Sequence, residues 1–381
     1  MLGYIISNKN EISVKNHKIF SFNILNKTDL NIFVIYNNQV LYKNNIINNA
    51  SRYGHIQVLE WFKKSGYEFK YDEWVIYEAS KNEHIQVLEW FKNSGYEFKY
   101  DEWVINHASE HGYIQVLEWF KNSGYEFKYD DDAINYASGN GHVQILEWFK
   151  NSCYKFKYDK NAIKYASKNK HIHILEWFKN SDYEFKYDED AINYACESGH
   201  VQVLEWFKNS GYTFKYNNYA INKASKNGHI NVLEWFKNNN YKFKYDEDAI
   251  NCASGYGHIQ ILEWFKNSDY KFKYTECAIM TDKIQILEWF KNSGYKFKYD
   301  EWTFCYASNN GYIQVLEWFK NSGYKFKYNK YAFKTIHFKI LKFCSNQFNI
   351  KKLIKWSKFN TFIKTIKFKT GIKYIKGYHK N

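Results

Sequence analysis

Four sets of residues in this chain could do chemistry. His55, His84, His142, His171, His200, His229 and His258 fall at multiples of 29 residues, and Tyr113, Lys283 and Tyr312 share their column. A file of imidazoles suggests metal ligation, but ligands must converge to about 2 Å from one ion. Side chains one repeat apart in a helical stack lie roughly 8–10 Å from each other. The column therefore predicts hydrogen bonding at the start of a helix, and no metal or other cofactor is expected. The Glu of the recurring "LEWF" stands three residues before a Lys, as in Glu89 and Lys92. That spacing makes weak ion pairs on a helix surface. A ladder of identical carboxylates supplies no acid and base of distinct environments. With no nucleophile–His–carboxylate set, P-loop or GxGxxG motif, the reading is a non-enzymatic protein without a small-molecule substrate.

The third set varies from copy to copy. The column before Ala-Ile reads Trp74, Trp103, Asp132, Asn161, Asp190, Tyr219, Asp248, Cys277 and Trp302. The column after Ile-Asn shows His107, Tyr136, Tyr165, Lys223 and Cys252. Large aromatics beside charges are what interface hot spots use. The expected partner-contacting residues are therefore Trp74, Trp103, His107, Asp132, Tyr136, Tyr165, Asp190, Tyr219, Lys223, Asp248 and Trp302. The fourth set is the C-terminal lysines. The net charge of +14 looks like a nucleic-acid signal, yet residues 329–381 alone hold fourteen lysines and no Asp or Glu, and the preceding 328 residues balance at forty basic and forty acidic. There Lys351, Lys352, Lys355, Lys358, Lys364, Lys367 and Lys369 interleave with Ile, Phe and Trp. Such a segment suits the phosphates of nucleic acid or an anionic membrane surface, and a decayed repeat in an A-rich reading frame is the blander account.

The elements that position these residues follow from the period. "EWF" begins at Glu60, Glu89, Glu118, Glu147, Glu176, Glu205, Glu234, Glu263, Glu288 and Glu317, with steps of 29 residues except one of 25. Fixed self-similarity at this period means a repeat architecture. A representative unit, "DDDAINYASGNGHVQILEWFKNSCYKFKY" (130–158), reads as two short helices and an extended link. Asp132 is the expected N-cap of the first helix, and "GNG" at 139–141 ends it. The second helix runs from about His142 to Lys150 with Val143, Ile145, Leu146 and Phe149 on one apolar stripe. "YKFKY" (154–158) alternates aromatic and charged residues, the mark of extended chain with one side buried. No unit buries these side chains alone, so neighbours must stack. The shortened unit around "CAIMTDKIQILEWF" (277–290) has lost about one helical turn, which predicts a stunted first helix and a kink or weak joint.

In "DAINYASGNGHVQILEWFKNSCY" the chain resembles the ankyrin repeat. Asp132 takes the family's Thr place, Ala133 the Pro, Ile134 the Leu, Asn135 the His and Ala137 the first Ala, and Gly141-His142 match its Gly-His. The resemblance implies a helix–turn–helix stack that binds proteins along a concave face lined by first helices. Units here are four residues shorter than the family's roughly 33, so the protruding finger should shrink to a simple turn. The "LEWF…SGYEFKY" wording also resembles the ankyrin proteins encoded in multiple copies by giant viruses of amoebae, which implies action on host factors. A ubiquitin-ligase adapter is a further reading from that resemblance, though neither 1–43 nor 345–381 offers a persuasive F-box-like segment.

The expected fold class is thus a predominantly all-α repeat solenoid with shortened links, and the chain is expected to be a monomer. Its expected parts are an N-terminal cap (1–43), ten repeats (44–328), and a degenerate eleventh repeat with a basic tail (329–381). Cys153, Cys196, Cys252, Cys277, Cys305 and Cys344 lie far apart without a CxxC pair, so they read as reduced, incidental residues. "MLGYIISNKNE" lacks a basic n-region and does not read as a signal peptide, and no apolar run approaches the length of a membrane span. An intracellular place, cytoplasm or nucleus, is expected.

Overall fold

A computed structural model describes residues 33–36, 39–42, 46–65, 71–325 and 327. The chain forms two compact units, Met1–Ala191 and Ile192–Asn381. Each is an all-α repeat solenoid in which a first helix, a tight turn and a second helix recur. In the first unit the pattern is carried by pairs such as Trp74–Lys81 with Ile85–Ser94, Trp103–Glu110 with Ile114–Ser123, and Asp132–Gly139 with Val143–Asn151. In the second unit it is carried by pairs such as Asn218–Lys226 with Ile230–Asn238 and Glu247–Tyr256 with Ile259–Lys266. The links between pairs contain no strand among the described residues, as their shortness predicts. A two-stranded hairpin precedes the helices: Phe33–Tyr36 pairs antiparallel with Gln39–Tyr42, Phe33 opposite Tyr42. It lies inside the expected N-terminal cap, the rest of which falls outside the described residues. The expected eleventh repeat and tail, with Lys351, Lys352, Lys355, Lys358, Lys364, Lys367 and Lys369, also lie outside them.

Local chemistry explains the helix ends. Gly141 turns the chain at φ 76°, in the left-handed region, which L-residues other than glycine adopt at a cost. A Cβ there would also lie 2.6 Å from Nδ1 of His171 in the next repeat. The imidazole column therefore sits on the preceding turn, and glycine is required twice over. Rings of this column also reach back for a carbonyl: His84 Nε2 lies 3.0 Å from Arg52 O, and His142 and His229 bond to the backbone of Glu110 and Glu197. This is the role expected for the column.

The expected N-cap was misplaced by two residues. Asp132 lies inside the helix, and Asp130 accepts from its backbone N–H at 3.0 Å. The same capping position is filled by Asp72, Asp101, Asp159, Asp188, Asn217, Asp246, Thr275 and Asp300. The displacement has a tertiary cause, because the cap also serves the previous repeat. Asn135 is buried and donates from Nδ2 to Asp159 Oδ1 at 2.9 Å, while its Oδ1 accepts from Asp159 N at 3.3 Å. Asn106 with Asp130, Asn193 with Asn217, and Asn222 with Asp246 repeat this two-way clamp. One residue thus ends its own helix and ties it to its neighbour.

The core is equally periodic. Ala133, Ile134, Ala137, Ile145, Leu146 and Phe149 are all at most 1% exposed, and each large side chain so buried contributes about 1.5–3 kcal/mol. The link aromatics pack between repeats. Phe127 stacks on Tyr154 at 4.1 Å and on Trp148 at 5.5 Å between ring centroids. Lys157 lies 4.2 Å from the Tyr129 ring and donates to Tyr129 O at 3.0 Å. The "LEWF" glutamate has a second partner that helix spacing does not show. It accepts from the indole of the next repeat, as Trp148 Nε1 to Glu118 at 2.5 Å and Trp235 Nε1 to Glu205 at 2.8 Å. These bonds hold the Glu89 and Glu205 carboxyls below the usual range, with Trp119 and Trp235 the leading causes.

The shortened repeat keeps one side of this bonding and loses the other. A single 3₁₀ turn, Glu276–Ile279, stands in place of the first helix, which matches the expected stunting. The indole ladder continues through it, with Trp289 Nε1 donating to Glu263 at 2.5 Å and Trp318 Nε1 to Glu288 at 2.5 Å. Met280 occupies the Asn place, so Asp300 receives no amide clamp. Its backbone N–H donates instead to Thr303 Oγ1 at 3.3 Å, within a capping box of its own helix. Thr303 stands where other repeats carry a core Ala or Val.

Candidate functional site

The varied columns lie on the first helices, where a short helix buries its Ala-Ile and Ala-Ser positions and the clamp Asn, and leaves the varied positions half-buried or exposed. Trp74 is 52% exposed, Trp103 45% and Trp302 52%. Large apolar side chains at this exposure are uncommon enough to mark an interaction surface when they cluster. Two of the three do. Trp74 and Trp103 line one cavity of about 370 Å³ together with Glu73, Tyr77, Asp101 and His107. The Tyr77 ring lies between its neighbours, 5.0 Å from Trp74 and 4.9 Å from His107, edge-on to both. Trp103 closes the far side at 6.0 Å from His107. The walls are therefore π-faces and the rim carries carboxylates. Burial raises the Asp101 carboxyl above its usual value and lowers the His107 imidazole.

Such a groove suits a cation. Aromatic faces attract ammonium and guanidinium groups, by about 0.5–2 kcal/mol depending on desolvation. The surface already shows this preference: Lys81 Nζ lies 5.5 Å from the Tyr77 ring centroid.

The other expected contact residues are not part of this groove. Asp132 and Tyr136 share a half-buried spot in which burial raises both groups, and the Tyr136 ring stacks on Tyr165 at 6.2 Å. Asp190 stands in the first turn of its helix, its N–H donating to Asp188 Oδ1 at 3.0 Å. In the second unit, Lys223 lies 4.6 Å from the Tyr219 ring and 3.6 Å from Glu197. The Tyr219 hydroxyl also reaches Glu197, at 3.4 Å, so this pair is engaged within its own unit. Asp248 is exposed in the first turn of Glu247–Tyr256, and Trp302 is exposed in the first turn of Glu301–Asn309.

Sequence reasoning missed Glu73, Tyr77 and Asp101 of the groove. Tyr77 occupies the clamp position that Asn135 fills elsewhere, and an aromatic ring in a column that is mostly Asn was the available signal. It also missed His107, Glu110 and His111 as a group, because they lie outside the imidazole column. Among the described residues these three are the cluster whose side chains could share a metal ion.

Fold and site define the protein as an all-α helix–turn–helix repeat protein with an aromatic, acid-rimmed groove on its first helices. No family model and no curated protein matches the sequence. Among solved structures it is similar to the human ASB11 ankyrin repeat domain, over 50% of this chain and 98% of that one, at 14% identity and a TM-score of 0.38. No helix among the described residues is long and apolar enough to cross a membrane.

Proposed function

We propose that the protein is a non-enzymatic interaction scaffold that takes a partner protein on its first-helix face, anchored in the groove around Trp74, Tyr77, Trp103 and His107. The observation that carries this reading is the pair of exposed tryptophans facing one cavity. Tryptophan concentrates binding energy at interfaces, and exposing two of them without a ligand has no stabilising purpose. Carboxylates Glu73 and Asp101 on the rim favour a basic segment, whose Lys or Arg would enter between the rings. The resemblance to viral ankyrin proteins makes host-cell proteins, in cytoplasm or nucleus, the first partners to try, a ubiquitin-ligase component among them.

Calorimetry of a captured partner against the full chain and its Trp74→Ala and Trp103→Ala variants tests this. Each variant should weaken binding by about 2 kcal/mol, or roughly thirtyfold. Affinity unchanged in both would remove the groove from the interface.

A second reading rests on composition: the lysines of 329–381, unbalanced by any acid, would bind a polyanion. It expects salt-sensitive binding to DNA, RNA or anionic vesicles that disappears when 345–381 are deleted, and binding that survives the deletion contradicts it.

A further inference from the structure

At the end of the groove, His107, Glu110 and His111 occupy positions i, i+3 and i+4 at the C-terminal end of one helix, Trp103–Glu110. Side chains at these spacings project from one face, and two histidines four apart with a nearby carboxylate can chelate a borderline transition metal. Their potential ligand atoms all lie within 4.8 Å of one another. Tetrahedral zinc places its ligands about 3.3 Å apart, so closing the set needs small side-chain rotations rather than a backbone change.

The details favour an ion. Nδ1 of His107 is buried and lies 2.8 Å from Glu110 Oε2, so a ring nitrogen and a carboxylate oxygen already converge. Nδ1 of His111 lies 2.9 Å from the carbonyl of His107. The same nitrogen lies 4.0 Å from Glu110 Oε2, so the three side chains converge at this helix end. Ring contacts hold both histidines in place: Tyr77 and Trp103 against His107, and Tyr113 stacked on His111 at 5.5 Å.

We propose that His107, Glu110 and His111 form a zinc-type divalent metal site with an open fourth position beside the groove. Three protein ligands with one place left for water or an incoming donor is the pattern of exchangeable rather than closed zinc sites. His-x-x-Glu-His also occurs in zinc hydrolases, with the Glu as base. Here the Glu110 carboxylate sits against the His107 nitrogen, in the position of a ligand. The site depends only on this helix, so it stands whether or not the groove binds a partner.

Titration of the metal-free full chain with Zn²⁺, followed by calorimetry and repeated with Co²⁺ by visible absorption, tests the assignment. Wild type should bind one more equivalent than the His107→Gln/His111→Gln double variant. His111→Gln alone, an exposed change at the helix end, should weaken that equivalent by roughly tenfold or more, and Co²⁺ should give a four-coordinate spectrum absent from the double variant. Equal stoichiometry and affinity in wild type and His111→Gln would overturn the proposal. So would a Co²⁺ spectrum that the double variant retains.

Discussion

Replacing Asn135 by Ala should cost far more than its small size suggests, because the residue belongs to two repeats. Its side chain is 1% exposed. It donates to the Asp159 carboxylate at 2.9 Å and accepts from the Asp159 N–H at 3.3 Å. A hydrogen bond to a charged group contributes about 1.5–3 kcal/mol and a neutral one about 0.5–1.5, with a further cost when the abandoned partner stays shielded from water. Asp159 keeps Asn161 as a partner at 2.7 Å through the backbone and 3.0 Å through the side chain, so its capping role survives. The expected loss is about 2–4 kcal/mol. Repeat arrays unfold by neighbouring units rather than all at once, so the loss should be local. Hydrogen–deuterium exchange of the full chain should show faster exchange in Asp132–Gly139 and Lys160–Lys168, with urea unfolding followed at 222 nm giving the overall shift. The next repeat carries Lys164 in place of this Asn and an exposed Lys160–Asp188 pair at 2.5 Å. Lys164→Ala is therefore the control and should cost under about 1 kcal/mol. A change below about 0.5 kcal/mol for Asn135→Ala, or exchange unaltered in those two helices, would refute the clamp as a source of stability.

Two further perturbations follow from the same packing. Burial lowers the His142 imidazole below its ordinary 6.5; the unfolded chain then binds the proton more readily, so the His142 contribution is complete above pH 6.5 and is lost as pH falls through the range down to the folded value. His142→Tyr, the residue found at Tyr113 and Tyr312 in the same column, should flatten the loss of stability between pH 7 and 5 in urea midpoints, and an unaltered slope would assign the acid sensitivity elsewhere. Lys170 holds the turn in the left-handed region at φ 62°, where most repeats place glycine and one places Glu83. Lys170→Gly should therefore stabilise by about 1 kcal/mol in chemical denaturation, and a destabilised variant would show that the Lys170 side chain contributes more than its backbone costs.

The repeat itself was legible because its signals are local. The 29-residue step, the glycine turn at Gly141, the apolar stripe of Ile145, Leu146 and Phe149, and the stunting at 277–290 each follow from propensity or periodicity within a few residues. The same logic correctly assigned the link aromatics to packing and the histidine column to hydrogen bonding, since identical positions repeated in register must meet identical surroundings. It also singled out the column of Trp74 and Trp103 by its variation. The anchors themselves were hidden in relations across repeats. The cap fell on Asp130 rather than Asp132 because a residue 24 positions earlier, Asn106, also needs that carboxylate. The Glu of "LEWF" was read as a partner for its own helix, whereas its stronger bond goes to an indole 30 residues later.

Sequence alone determined that the chain is a stack of helix–turn–helix repeats, since no single unit could bury its own Ile, Leu and Phe. Only the tertiary structure decided which exposed side chains converge. Trp74, Tyr77, Trp103 and His107 come from the first helices of two successive repeats, whose faces adjoin when the repeats stack, while Trp302, in the same column, stands on another unit. The physical reason is that a repeat pattern specifies which residues are buried, whereas a binding site is made by the distances between residues that are not.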